Sequence, residues 1–189
     1  MTADVNALME DLNDITGTAR REFGGLTAEE LNWKPNPREW SVAQCLDHLT
    51  LSAMAFLPTL RAIQEGTKPS TRWERLPVLP ALWGALVRRA VDPERARKTR
   101  APASLRPAES AIGPDIVNRF VASQRELHAF MSGTTPAMLR TIVTSPVARF
   151  VTYSLHDAYR IVLAHDRLHF RQARAVIATS GFPRAVAPR

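Results

Sequence analysis

Two histidines that could bind a metal ion, His165 and His169, lie in the stretch "LAHDRLHFRQA" near the C-terminal end of the chain. No glycine or proline occurs from Phe150 to Ser180, which favours a continuous helix there. Residues i and i+4 of a helix lie on the same face, and two imidazoles at this spacing can share one metal ion. The pair predicts part of a metal site, although two hydrogen-bonded helix residues would show the same spacing.

The apolar pattern of this helix assigns both histidines to its buried face. That face is apolar at both ends and polar in the middle, and it consists of Ala158, Val162, His165, His169, Gln172 and Val176. A buried imidazole is costly unless it is hydrogen-bonded or coordinated. A polar site inside the core is therefore expected.

A third ligand has to come from upstream, because residues 170–189 contain no His, Asp, Glu or Cys. His156 precedes His165 by about 13 Å along the helix, too far to share an ion. His128 is expected to be a surface or packing residue. His48 lies two turns into another predicted helix, and bundles build metal sites from ligands on different helices.

A zincin-type hydrolase is an alternative for the same motif. "HDRLH" matches H-E-x-x-H with Asp166 in place of the glutamate base. Asp166 is one methylene shorter than that base, and the downstream ligand of such enzymes is missing. The alternative is therefore less favoured than a site shared between helices.

Helical periodicity occurs in four stretches, at about residues 3–23, 41–60, 114–133 and 154–179. The second stretch opens with Ser41 and Gln44 at the spacing of a capping box. Strand-like alternation is confined to "TIVT" and "ARFVTY", between the third and fourth stretches. The pattern predicts an all-α four-helix bundle with a long crossover between its second and third helices.

The crossover, at about 66–111, differs in composition from the rest of the chain. It holds six of the 14 prolines, and between Thr67 and Arg106 ten Lys/Arg face three acidic residues, which accounts for the whole net charge of +7. "LPALWGALVRRAV" (79–91) is predicted to be a short amphipathic helix, and the rest a loop. Because this segment lacks interleaved aromatics, a solvated insertion or a patch that attracts anionic substrates is favoured over a nucleic-acid site.

The remaining composition bears on the compartment and the domain organisation. The 189 residues are predicted to form a single domain. The one cysteine, Cys45, excludes an internal disulfide, fits a reducing compartment and is expected to pack rather than react. An acidic N-terminus and the lack of a long apolar run predict a cytoplasmic protein without a membrane partner. A homodimer is expected, because bundles of this kind commonly pair.

Two segments together resemble the DinB-like superfamily of small bacterial metal-binding four-helix bundles. These are "EWSVAQCLDHL" and, late in the chain, "RIVLAHDRLHFRQARAVI". The matching positions are Trp40 and Ser41 at the start of the second helix, then His48, His165, His169 and Gln172. The resemblance covers the whole chain except the insertion at 66–111.

The resemblance implies a divalent ion, zinc, nickel or iron, held by His48, His165 and His169 with water or substrate in the open position. Relatives include transferases and isomerases that use low-molecular-weight thiols such as bacillithiol or mycothiol, in which the metal would bind the thiol and lower its pKa. Gln172 and Gln44 are candidates for holding a ligand or touching the substrate, although Gln44 is first of all a helix cap. No catalytic residue is predicted.

Two other functions stay open at this point. One is a non-catalytic metal-binding or small-molecule-binding module of the stress response, and the other is a nucleic-acid-associated protein that uses the basic insertion. Among the residues beside the ligands, Asp47 and Asp166 are expected on the surface or in salt bridges. Trp40 is expected to pack the preceding loop onto the bundle.

Overall fold

The computed structural model describes residues 3–96 and 100–184. In chain order the elements are α1 (Ala3–Phe23), α2 (Ala28–Asn32), α3 (Val42–Gln64), α4 (Leu79–Val91), a 3-10 turn (Ala103–Leu105), α5 (Ile116–Ser132), α6 (Pro136–Leu139), β1 (Ile142–Ser145), β2 (Ala148–Ser154) and α7 (Leu155–Ile177). The four long predicted helices correspond to α1, α3, α5 and α7. Of these, α5 begins slightly later than expected, after the N-cap residue Asp115.

The four long helices form the bundle. Helix α3 packs against α5 and α7, and α1 packs against the same two helices. Three buried rings meet where these helices come together, since the centroid of Phe170 is 5.2 Å from that of Phe23 and 5.5 Å from that of Phe120. This packing confirms the predicted all-α bundle and its long crossover between the second and third bundle helices.

Local sequence signals fix where the helices that carry the histidines begin. At α3, the Ser41 hydroxyl accepts a hydrogen bond from the Gln44 amide, and the Ser41 amide donates to the Gln44 side chain, as the capping box predicts. At α7, the Ser154 hydroxyl accepts from the amide of Asp157. In the described part of the chain, no helix is both long enough and apolar enough to span a membrane.

A two-stranded hairpin interrupts the helical chain just before α7. Strands β1 and β2 pair antiparallel, with Val143 opposite Tyr153 and a register shift after Thr144. Val143 and Tyr153 are buried, so one face of the hairpin packs on the core. The two strand-like runs in the sequence therefore pair with each other. The predicted bundle did not include this hairpin.

The insertion between α3 and α5 is folded onto the bundle. The predicted helix 79–91 is confirmed as α4, which packs against β2 and α7. Arg88 donates a hydrogen bond of 2.5 Å to the Asp157 carboxylate at the start of α7. A Cβ atom at Gly84 would lie 2.7 Å from the same carboxylate, so the absence of a side chain there permits the close approach of α4.

The start of the insertion is also tied down. The buried Glu74 carboxylate accepts hydrogen bonds of 2.7 Å from the Lys68 ammonium and from the Thr144 hydroxyl of β1. A buried carboxylate needs such partners to offset its desolvation. The Pro/Arg-rich segment is therefore an ordered addition to the fold over the part of it that is described.

Removing the ring of Phe120 should test the packing of the bundle. Phe120 is fully buried against Phe170, so Phe120→Ala is expected to lower the free energy of unfolding by about 3–5 kcal/mol. The measurement is chemical denaturation followed by circular dichroism. The control is Met54→Ala, on the exposed side of α3, which should change stability by less than about 0.5 kcal/mol. Equal effects of the two substitutions would contradict this packing.

Candidate metal centre

Three imidazole rings from two helices meet inside the bundle. His48 lies in α3, while His165 and His169 lie one turn apart in α7. The Nε2 atom of His165 is 3.2 Å from Nε2 of His48 and 3.1 Å from Nε2 of His169. The packing of α3 on α7 thus brings together the three histidines that the sequence analysis singled out.

Hydrogen bonds on the far side of two rings decide where their protons are. Nδ1 of His48 is 2.6 Å from the carbonyl oxygen of Leu105, and Nδ1 of His169 is 2.9 Å from Oε1 of Gln172. These oxygens only accept hydrogen bonds, so each Nδ1 carries the proton and donates it. The Nε2 atoms of His48 and His169 therefore both point a lone pair at His165.

The three Nε2 atoms cannot satisfy one another. His165 has at most one proton on Nε2, and it can donate that proton to only one of its two neighbours. The lone pair of at least one Nε2 atom is therefore left without a donor. A divalent cation accepts all three lone pairs, and the ligand atoms lie within 4.8 Å of one another. The residues present therefore fit a bound metal ion, and imidazole nitrogen suits zinc, nickel and iron.

Burial keeps these rings neutral, which is the form that binds metal. It lowers the pKa of His48, and it lowers the pKa of His165 well below the usual value. Repulsion from His169 and His48 in their charged forms lowers the pKa of His165 further. Burial also lowers the pKa of His169 to about 4, against the opposing hydrogen bond to Gln172. All three nitrogens are therefore available as ligands at neutral pH.

The indole of Trp40 covers one side of the three rings. Its centroid is 4.9 Å from that of His48, and it stacks on His169 at 5.6 Å with an angle of 25° between the planes. Trp40 was expected to pack the loop before α3 onto the bundle, and it does so on the histidines themselves. An apolar wall of this kind limits the access of water and fixes the orientation of the rings.

The other candidate residues separate into those near the group and those away from it. Gln172 holds His169 through the hydrogen bond described above. Gln44 caps α3 and also donates to the carbonyl of Ala108, at 2.9 Å. His128 and His156 are not members of the three-histidine group.

The expectation for Asp166 was wrong. It is 1% exposed, its pKa is raised well above the usual range by burial, and its Oδ2 has no hydrogen-bond partner among the described residues. The reason is that Leu163, Phe170 and Ala173, at helical spacing from it, are also buried, so Asp166 belongs to a second buried face of α7. A base facing substrate, as the zincin alternative requires, does not fit that position.

The expectation for Asp47 was right about its ion pair and wrong about a surface position. The carboxylate is 6% exposed and accepts a hydrogen bond of 3.2 Å from Arg119 of α5. It also accepts one of 3.0 Å from the backbone amide of Ala108. The segment 105–108 covers this part of α3 and removes the carboxylate from solvent.

Sequence reasoning missed one part of the site, the carbonyl of Leu105 in the 3-10 turn. A backbone acceptor leaves no signal in residue type or spacing. The buried Leu105 side chain, within a proline-rich and charged segment, was the one hint that this part of the insertion returns to the core. The insertion therefore contacts the three-histidine group directly.

A helical bundle with three inward imidazoles on two helices is a fold with a group that could hold a metal ion, and comparison with known proteins identifies the family. The family model of the DinB superfamily matches residues 12–173. The chain belongs to this superfamily. It is 26% identical over 171 residues to the uncharacterized protein YuaE of Bacillus subtilis (strain 168). The aligned region covers 89% of this chain and 96% of that protein. No solved structure matches the chain.

Cys45 lies one turn before His48 in α3, and its reactivity can be predicted from its surroundings. It is fully buried, and burial raises the pKa of the thiol to about 12. We expect Ellman's reagent at pH 8 to label the native protein on the order of a thousandfold more slowly than the unfolded chain, because the thiolate fraction falls tenfold per pKa unit. The chain has one cysteine, so the assay reports on Cys45 alone. Equal rates in the two states would contradict its burial.

Proposed function

We propose that this protein binds one divalent metal ion through the Nε2 atoms of His48, His165 and His169. The observation that carries the proposal is the convergence of three Nε2 atoms, with contacts of 3.1 and 3.2 Å, while two of them are fixed as lone-pair donors from behind. Without a cation this arrangement leaves at least one buried Nε2 lone pair without a donor, which is unfavourable. Three neutral imidazoles with a further position open are also the ligand number of catalytic rather than structural sites.

We further propose that the protein is a metal-dependent S-transferase or isomerase that uses a low-molecular-weight thiol. A divalent ion in such a site lowers the pKa of a bound thiol, so that the thiolate nucleophile exists at neutral pH. Membership of the DinB superfamily supports this choice, because the resemblance to that superfamily implies relatives that include thiol-dependent transferases and isomerases.

The residues of this chain would have separate tasks in that reaction. The three histidines supply the lone pairs, and Leu105 and Gln172 keep their partners' protons on Nδ1. Trp40 shields one side of the rings from water. Arg106, which directly follows Leu105, is exposed and adds positive charge beside the site, which favours an anionic thiol.

The proposal includes the setting of the protein. Residues 1–189 form one domain, with a small-molecule thiol or substrate as the partner and a homodimer as the assembly. A cytoplasmic location is supported by the single cysteine, which is free and buried. The excess of lysine and arginine is confined to the insertion. Because that segment lacks interleaved aromatics, a patch that attracts anionic substrates is favoured over a nucleic-acid-binding surface.

Metal content tests the first step. Protein purified without a histidine tag and loaded with zinc or nickel is expected to hold close to one ion per chain by inductively coupled plasma mass spectrometry. His48→Ala should lose at least about tenfold in affinity, because one of the three ligands is missing. His128→Ala and His156→Ala are matched controls, since neither histidine belongs to the group, and they should keep the wild-type content. Absence of metal in the loaded wild type would overturn the proposal.

Thiol binding tests the second step. Cobalt-loaded protein is expected to develop a sulfur-to-cobalt charge-transfer band near the ultraviolet when a low-molecular-weight thiol is added, because a thiolate enters the open position. The corresponding alcohol should give no such band, and neither should His48→Ala with thiol. A stoichiometric metal site that ignores thiols would instead point to a metal-binding module without thiol chemistry.

A further inference from the structure

The segment 105–108 is held against one face of α3. Gln44, Asp47 and His48 occupy that face at helical spacing, and each makes a hydrogen bond to the backbone of the segment. His48 donates to the carbonyl of Leu105 at 2.6 Å, and Asp47 accepts from the amide of Ala108 at 3.0 Å. Gln44 donates to the carbonyl of Ala108 at 2.9 Å. One of the three bonds therefore sets the proton of a metal-binding imidazole, while the other two fix the segment that provides the acceptor.

Further anchors of the insertion lie away from Leu105. On the upstream side, α4 is tied to α7 through Arg88 and Asp157. On the downstream side, the Asn32 side chain makes two hydrogen bonds of 2.8 Å to the amide and carbonyl of Ile112. Neither anchor fixes the carbonyl of Leu105 in position. The buried Leu105 side chain holds one end of the segment, and the two bonds at Ala108, three residues away, hold the other.

We propose that Asp47 is a positioning residue for the metal site, which acts through Ala108 and Leu105 to hold His48 with its proton on Nδ1 and its Nε2 lone pair directed at the ion. The carboxylate is the acceptor of a charge-assisted bond in a nearly dry place, which is stronger than a neutral hydrogen bond. Gln44 also holds Ala108, through its Nε2 donor. Its oxygen accepts from the Ser41 amide in the capping box, so it is not the acceptor of the Ala108 amide. The insertion is thereby part of the metal site. This inference rests on the proposed function for its effect on metal affinity.

The ion pair of Asp47 with Arg119 has a different weight. The Arg119 side chain is 47% exposed, and the nitrogen–oxygen distance is 3.2 Å. Solvent screens a pair of this kind, so it contributes little. The Ala108 bond, made by the other carboxylate oxygen, is the one that transmits position to His48. Removing Arg119 should leave His48 as it is.

Three variants separate these two bonds. Asp47→Ala removes the acceptor of both the Ala108 amide and Arg119. Asp47→Asn keeps an oxygen for the Ala108 amide but loses the ion pair. Arg119→Ala removes only the ion pair. Zinc affinity is measured by competition with a chromophoric chelator, and thermal melting is recorded alongside. We expect Asp47→Ala to bind zinc at least about tenfold more weakly, as for groups that hold metal ligands in place. Asp47→Asn and Arg119→Ala should stay within about threefold of wild type.

A second measurement needs no metal. In the metal-free protein, the ¹⁵N shifts of the histidine rings report the tautomer of each imidazole. We expect His48 to be protonated on Nδ1 in wild type, Asp47→Asn and Arg119→Ala, and to become a mixture of tautomers in Asp47→Ala. His169, held by Gln172, is the internal control and should keep its tautomer in all four proteins.

The outcomes distinguish this inference from the proposed function. If wild type binds zinc and Asp47→Ala binds it equally well with an unchanged His48 tautomer, the inference fails and the metal site stands. If wild type binds no zinc, the proposed function fails, and the tautomer of His48 alone decides whether Asp47 positions the ring. Loss of thermal stability in Asp47→Ala with no change in tautomer would mark Asp47 as a structural residue only and would overturn the inference.

Discussion

The site depends on one constraint, which is that two imidazoles are held with their lone pairs directed at a third inside a buried part of the bundle. The carbonyl of Leu105 and the amide oxygen of Gln172 impose this by accepting hydrogen bonds from the Nδ1–H groups of His48 and His169. Burial keeps the rings neutral, so the lone pairs persist at neutral pH. A bound cation would accept all of these lone pairs, so the protonation pattern bears on metal binding more directly than the clustering of three histidines alone.

The insertion between α3 and α5 contacts the three-histidine group and the helices that carry it. Its helix α4 docks on α7 where Gly84 lets the backbone approach the Asp157 carboxylate. Its last part, residues 105–108, packs on α3, and the carbonyl of Leu105 accepts a hydrogen bond from His48. The insertion therefore contacts both helices that carry the histidines. Differences in this segment among members of the superfamily would be expected to change how the same three ligands are held.

Charge is arranged so that the interior and the surface of the site differ. The rings lie under Trp40, among apolar residues, while the excess lysine and arginine of the chain belong to the segment that crosses nearby. A neutral, water-poor ligand set with positive charge outside suits an anionic molecule that approaches from solvent and ends at a metal ion. Asp166, the buried carboxyl next to His165, is not a member of the three-histidine group.

The sequence by itself determined the four bundle helices, the capping box at Ser41 and helix α4, because helical periodicity and capping are local properties. The expectation that His48 meets the pair on α7 came from the resemblance to a family, and the packing of α3 on α7 decided it, because His48 and His165 are 117 residues apart. The burial of Asp166 could also have been inferred from its apolar neighbours at i−3, i+4 and i+7, but its adjacency to a ligand suggested an outward position. Only the tertiary structure decided the roles of Leu105 and Ala108. Those contacts join backbone atoms to side chains 57 and 61 residues apart, and a backbone carbonyl or amide has no identity in the sequence.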